Sequence, residues 1–489
     1  MRIYAWVMLS MASLLGACHT PTMQAQPAES NNRYNVLFIA VDDLRPELGC
    51  YGVDYVRTPN IDKLAGTGVL FKQHFVMMPT CGASRYALLT GRDSMKSKGT
   101  HNGAFYTGGA ALKQETLPGA QSLPELFRRS GYRTVLIGKV SHTADGKVTA
   151  YNGSGDKRPE LPNAWDDFAT PYGPWQRGWG VFFAYADGKH REDGGGHRDL
   201  MQFTVEQDTD LPDGLMAEAA IDKLKALKER DEPFFLGLGF FKPHLPFVAP
   251  KRDWDAVDKW DVPTPAFREG IETAYYNGGN GEFYGYKMGW EKTKPLALED
   301  AMQAKRGYLA CVRYVDRQIG KVLDALEEEG LADNTVVVLW GDHGWFLGEA
   351  AMWAKHTTLE TAVHAPLIIR APGVGKAGVK TDALASTIDL YPTLLDLCKP
   401  SFTRTEHELD GVSLVPVLTG EKNGVREIVP SYWRGATSLR SSTHRVVYKS
   451  QRGAPTHVEL YDLTKPNGAW IDVIKQQPNA AVLEHLPDR

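Results

Sequence analysis

The chain has 489 residues, of which 43% are hydrophobic and 23% charged, with a formal net charge of -4. This length supports a sizeable core, the composition excludes a disordered or fibrous chain, and the charge balance argues against a general nucleic-acid binder. Five cysteines in so long a chain are too few for a disulfide scaffold. Setting aside Cys18 and Cys81 leaves Cys50, Cys311 and Cys398, which can form at most one bridge.

The N-terminus opens with Arg2, an apolar run from Ile3 to Leu15, then Gly16, Ala17 and Cys18. The run is short for a membrane span and ends in small residues, the pattern of a cleaved export signal. LGAC, Leu15 to Cys18, is similar to a bacterial lipobox, which makes Cys18 the expected lipid-bearing residue and places the protein in the periplasm or on the cell surface, anchored to a membrane. The expected organisation is a signal over 1–18, a polar linker over 19–33, a catalytic domain over 34–400 and a C-terminal subdomain over 401–489.

Asn35 to Val41 is a continuous β-favouring apolar run, as in a strand buried on both faces of a parallel sheet. Asp42 and Asp43 follow at its C-terminal end, where open α/β sheets place ligands. Thr58 to Gly68 reads as a capped helix with a glycine stop. Pro79 to Arg92, PTCGASRYALLTGR, reads as a turn that opens a helix at Cys81, whose unpaired N–H groups favour an anion beside the cation Arg85. A helix ending near Gly131, a strand from Arg133 to Ile137 and the sequence GKVSH come next. Thr143 to Asp210, rich in Gly, Trp, Asp and Tyr, has weak periodicity and reads as a long insertion lining a binding face.

A helix from Asp213 to Arg230 precedes a strand from Pro233 to Gly239 that delivers FFKPHLPF. A long amphipathic helix, roughly Leu298 to Glu329, precedes the strand Asn334 to Trp340, which delivers GDHGWFLGE. Past residue 400, short alternating stretches predict a small antiparallel sheet. Two acidic groups at the ends of separate strands, Asp42 with Asp43 and Asp342 with His343, repel one another in a closed site unless a cation lies between them. By themselves, such pairs are also compatible with solvated strand-end turns.

The run around Cys81 resembles the signature C-x-[PA]-S-R-x-x-L-L-T-G of the type I sulfatases, with Ala83 where most members have proline. VDDLRPELGCYG and GDHGWFLGE resemble the iduronate-2-sulfatase branch, in which His343 replaces the more usual asparagine. The resemblance implies an alkaline-phosphatase-like α/β sandwich, with a large mixed, mostly parallel sheet between helices and a small C-terminal antiparallel subdomain. It implies that a maturation enzyme converts Cys81 to formylglycine, whose hydrate is the nucleophile of a double displacement. Asp42, Asp43, Asp342, His343 and position 81 would ligate one divalent cation, usually calcium.

Arg85, Lys139 and Lys355 would meet sulfate oxygens. His142 would be the base that releases sulfate and His244 the acid that protonates the leaving sugar oxygen. Lys242 and Trp345 are further candidates for substrate contact. The implied substrate is a sulfated oligo- or polysaccharide, with a 2-O-sulfated uronate favoured by GDHGWFLGE and KPHLPF. Two other readings stand beside it: a phosphate or phosphonate monoester hydrolase of the same superfamily, and a surface lipoprotein that binds sulfated glycan without cleaving it.

Overall fold

The computed structural model describes residues 33–276 and 281–487, so the export signal, the linker and Cys18 lie outside the described residues. Its centre is β1 (Asn35–Val41), every residue of which is buried, as an apolar run without alternation requires. Around it an eight-stranded sheet forms from β2 (Val69–Phe75), β3 (Arg133–Gly138), β4 (Asp167–Phe168), β5 (Phe234–Phe240), β6 (Thr335–Gly341), β7 (Leu367–Arg370) and β8 (Val379–Ser386). The strand order is β8-β2-β7-β6-β1-β5-β3-β4. The strands β6, β1, β5, β3 and β4 are parallel. β7 runs antiparallel to both β6 and β2, and β8 is parallel to β2.

Two successive reversals at β7 leave β2 pointing the same way as β1. The C-terminal ends of β2, β1, β6, β5 and β3 therefore share one edge of the sheet, and the residues that follow them converge there. The sequence does not disclose the reversal, because a strand buried on both faces reads alike in either direction.

Helices cover both faces: α1 (Pro59–Thr67), α2 (Cys81–Thr90), α3 (Leu123–Arg129), α4 (Pro212–Lys228), α5 (Leu298–Glu328) and α6 (Leu390–Cys398). Burial separates into two apolar layers. One holds α1, α4 and α5 against the outward side chains Leu37, Ile39 and Val41 of β1. The other packs α2, α3 and α6 against Val36, Phe38 and Ala40.

The caps of α1 differ from expectation. Thr58 makes no side-chain cap; its hydroxyl donates to Asp62 Oδ1 at 3.1 Å. The first turn is capped from α5 instead, where the Asp316 carboxylate accepts from Ile61 N at 2.8 Å. Gly68 is extended at φ -125 and is required for space, since a Cβ there would lie 2.7 Å from Ile369 O.

A second, four-stranded antiparallel sheet comprises β9 (Val429–Trp433), β10 (Ala436–Arg440), β11 (His444–Gln451) and β12 (Ala454–Asp462). Residues just past 400 still pair with the main body, Ala120 N donating to Arg404 O at 2.9 Å, so the small sheet begins only at Val429. It is tied down by Ser431 Oγ, which donates to Val76 O at 2.7 Å, and by Arg440 and Arg445 on Glu360. Residues from Arg33 onward form one compact unit. Cys50, Cys81, Cys311 and Cys398 are all buried free thiols. Among the described residues no helix is long and apolar enough to cross a membrane.

Candidate active site

At the shared sheet edge, β1 ends in Asp42 and Asp43, β6 in Asp342 and His343, and the turn after β2 opens α2 at Cys81. Ligand atoms of Asp42, Cys81, Asp342 and His343 all lie within 4.8 Å of one another, and all four residues are buried. His343 Nε2 is 3.3 Å from Cys81 Sγ and 3.3 Å from Asp43 Oδ1. The imidazole is oriented by its other nitrogen, Nδ1, 3.1 Å from Gly344 O. Asp43 holds a left-handed φ of 59, a conformation that aspartate tolerates better than most residues. Tyr308 fixes it there by donating its hydroxyl to Asp43 O at 2.8 Å.

Arg85 does not reach outward. Nε donates to Asp342 Oδ2 at 3.0 Å and Nη2 to Asp42 Oδ1 at 3.1 Å. Nη1 donates to the carbonyls of Lys139 and Val140, and the side chain is fully buried. Its planar fork suits this bridging of two carboxylates. The expectation that Arg85 meets a sulfate oxygen is therefore corrected: it positions Asp42 and Asp342.

Lys139 and Lys355 do face the centre. Lys139 Nζ donates to Asp42 Oδ2 at 2.6 Å and sits 4.2 Å from the centre of the Phe182 ring. Lys355 Nζ donates to Asp43 Oδ1 at 2.8 Å and lies 3.4 Å from Cys81 Sγ. His244 Nε2 is 3.2 Å from Glu282 Oε1 and 3.8 Å from Asp43 Oδ2, its Nδ1 being 2.7 Å from Leu245 O. His142 is buried beside Trp179, with ring centres 5.7 Å apart, and its Nδ1 has no hydrogen-bond partner among the described residues.

Two further candidates sit differently from expectation. Lys242 Nζ donates to the carbonyls of His244 at 3.0 Å and Pro246 at 2.6 Å, so it braces the His244 loop. Trp345 is fully buried and lies under Lys355 Nζ, 5.1 Å from the ring centre. It shapes the floor beneath the ammonium and offers no face to a substrate.

The helix N-terminus is also less open than the motif implies. Asn102 Oδ1 accepts from Gly82 N at 2.9 Å, and a Cβ on Gly82 would lie 2.3 Å from the Asn102 backbone. Asn102, Phe182 and Glu282 were not legible in the sequence. They come from aperiodic loops, and only the aromatic-rich composition of the 143–210 insertion hinted at one of them. That insertion does line the site, through Phe182, whose ring is 4.6 Å from that of His244.

The electrostatics fit a divalent cation. Four buried or half-buried carboxylates, of Asp42, Asp43, Asp342 and Glu282, face three permanent cations, Arg85, Lys139 and Lys355. Burial pulls the Asp42 pKa upward, but Lys139 and Arg85 hold it well below the usual carboxylate range. Burial, together with Asp42, Glu282 and the Asp342 charge, pushes Asp43 well above it, against Lys355. Burial and Asp42 push Asp342 up to about 7. Asp43 Oδ2 is buried with no hydrogen-bond partner among the described residues. Carboxylate oxygens that crowd and repel in this way, with His343 Nε2 beside them, form a donor set that could hold a divalent cation. Burial and the Asp42 charge also push the Cys81 thiol up, despite Lys139 and Lys355, so an unmodified Cys81 is a neutral, weakly nucleophilic thiol.

Comparison with known proteins bears on this geometry. The Sulfatase family model matches residues 34–399, and a model described as N-sulphoglucosamine sulphohydrolase, C-terminal, matches residues 341–489. The chain is similar to iduronate 2-sulfatase of Mus musculus, 31% identical over 452 residues that cover 85% of this chain and 73% of the relative. It is equally similar to a sulfatase of Formosa agariphila, 31% identical over 487 residues, 94% of this chain and 87% of the relative. In fold it is similar to a phosphonate monoester hydrolase of Silicibacter pomeroyi, with a TM-score of 0.71 at 24% identity, covering 93% and 94% of the two chains.

Proposed function

Since the chain belongs to the sulfatase family, in its iduronate-2-sulfatase-like branch, we propose that it hydrolyses a sulfate ester on a glycan, a 2-O-sulfated uronate or a similar sugar. The observation that carries this reading is the convergence of position 81 with Asp42, Asp342 and His343 within 4.8 Å, flanked by Lys139 and Lys355. When present, a divalent cation and formylglycine at position 81 supply charge neutralisation and an oxygen nucleophile. The set Asp42, Asp43, Asp342 and His343 would hold that cation, and calcium fits its oxygen-rich donors.

The chain's own groups do the rest. Lys355, 3.4 Å from position 81, and Lys139, on the neighbouring Asp42, offer ammonium donors where the three equatorial oxygens of a sulfuryl group in flight need compensation. Phe182 and Trp345 exclude water around those ammoniums, which strengthens each contact. His244 Nε2 points toward the centre and donates the proton that the departing sugar oxygen requires. Burial lowers its pKa to about 4, against the pull of Asp42 and Glu282. The negative charge of a bound sulfate ester favours the protonated form and moves the pKa back toward neutrality. Burial and Lys139 lower the His142 pKa, so it enters neutral, and the negative charge of the bound sulfate strengthens it as the base of the release step.

The same geometry accommodates any tetrahedral oxyanion, so the test compares esters directly. One metal-loaded preparation from a host that matures sulfatases is assayed with an aryl sulfate and the matching aryl phosphate. Faster sulfate turnover is expected; faster phosphate turnover would move the protein to the phosphomonoester reading. Failure to turn over either, with retained affinity for sulfated oligosaccharide, would support the non-catalytic binder. The export signal, lipidation of Cys18 and maturation of Cys81 by a dedicated enzyme belong to this proposal.

A further inference from the structure

A cavity of about 340 Å³ opens beside the reaction centre, lined by Tyr275, Glu282, His356, Trp433, Arg434 and Lys449 among others. It shares a wall with the site. His356 directly follows Lys355, whose ammonium is 3.4 Å from Cys81 Sγ. Glu282 Oε1, on the common partition, is engaged from the catalytic side by Lys355 at 3.0 Å and His244 at 3.2 Å. The far wall comes from the small sheet: Trp433 ends β9, Arg434 lies in the β9–β10 turn, and Lys449 stands on β11 opposite Ala436.

Three features of this wall point to an acidic sugar. Trp433 lies flat on the His356 ring, with centres 4.8 Å apart and planes at 9°, a stack that holds the indole in place and leaves its outer face for a sugar ring. Arg434 is 5.5 Å from the Trp433 ring and Lys449 5.7 Å from that of Tyr275. Among the described residues no carboxylate lies within ion-pair distance of either cation, and Glu282 is the one acidic residue of the lining. Arg434 also occupies its place at a cost. The two-residue turn has φ 45 at Arg434 and φ 79 at Gly435, a type I′ pattern in which the first position favours Asn, Asp or Gly. An arginine there bears the Cβ clash of the left-handed region that glycine avoids and that Asn or Asp offsets by local hydrogen bonding.

We propose that this cavity is a subsite for the sugar next to the one that carries the scissile sulfate. It takes an acidic group of that sugar, a carboxylate or a sulfate, between Arg434 and Lys449, with the ring on the outer face of the Trp433–His356 stack. The inference rests on the glycan-sulfatase reading above and makes that reading specific for a polyanionic chain.

The test uses the full chain, matured and metal-loaded, and three oligosaccharides sharing one sulfated sugar. The neighbouring sugar is neutral in the first, a uronic acid in the second and a sulfated sugar in the third. Wild type is expected to prefer one or both acidic substrates by kcat/KM, and the better one identifies which anion the subsite takes. R434N and K449Q each lower that preference about tenfold, the worth of a charge-assisted contact. R434N also raises the melting temperature because it relieves the turn, an effect opposite to that of losing a merely structural arginine. Equal kcat/KM for neutral and acidic substrates in wild type would overturn the subsite, as would variants that keep the full preference. Lack of wild-type turnover on all three and on an aryl sulfate would instead sink the sulfatase reading on which it rests.

Discussion

Arg85 spends its donors on Asp42, Asp342 and two carbonyls, and that settles a division of labour around position 81. The guanidinium holds the carboxylates, leaving the two lysines free to be redirected to an incoming anion. His244 is the group whose role is most exposed to test, because a proton donor matters only when the leaving group is a poor one. H244A is expected to lower kcat on a sugar sulfate by about 10²–10⁴-fold, but by less than about tenfold on a nitrophenyl sulfate, whose leaving group departs without a proton. Equal losses on both substrates would contradict a general-acid role. At this scale the motif residues were legible, since each cluster contributes neighbours in sequence that stay neighbours in space. Lys242 and Trp345 carry the same chemistry on paper, and only packing shows that one braces carbonyls and the other lies beneath an ammonium. Glu282 and Asn102 were illegible, because a lone Glu or Asn in an aperiodic loop has no periodic signal to betray it.

Elements tell a similar story. The four strands given bounds, β1, β3, β5 and β6, were found within about a residue by their apolar runs, and α5, expected over Leu298 to Glu329, spans Leu298–Glu328 because its amphipathic period persists over many turns. What sequence could not disclose is the antiparallel β7 and the Asp316 cap on α1, both of which depend on distant partners. The same holds for the joint between the small sheet and the main body. There Glu360, in a short helix (Glu360–Val363), accepts from Arg445 Nε at 2.7 Å and Arg440 Nε at 3.2 Å. Burial pulls the Glu360 pKa upward, but the two arginines outweigh it and bring it down to about 2 from 4.5. A depressed carboxyl pKa gives stability that is complete above the unfolded value near 4.5 and lost as pH falls through about 2. E360Q, which leaves both arginines unpaired, is expected to cost about 3 kcal/mol at pH 7. It should also flatten the acid limb between the two pKa values, as read from urea midpoints across pH. A variant as stable as wild type at pH 7 would show that the joint is held by packing alone.

Over the whole molecule, the sheet edge gathers three carboxylates from two strands, and with Glu282 they outnumber the permanent cations Arg85, Lys139 and Lys355 by one. A cation bound there stabilises the folded state in proportion to its affinity. Chelation is therefore expected to lower the melting temperature by about 2–5 °C at neutral pH, with recovery on adding calcium. An unchanged melting temperature would contradict a resident cation. The architecture itself was legible from alternating strand and helix runs, and the long insertion over 143–210 was correctly placed as a lining of the site. Its role in packing Phe182 against Lys139 and His244 emerged only from the fold.

The proposed chemistry turns on position 81, since a buried neutral thiol among these charges has no route to sulfate transfer. The direct measurement is the mass of the tryptic peptide containing residue 81, from active protein made in its native host. The expected peptide is lighter by the difference between a cysteine and a formylglycine residue. An unmodified thiol in protein that turns over sulfate esters would contradict the proposed chemistry.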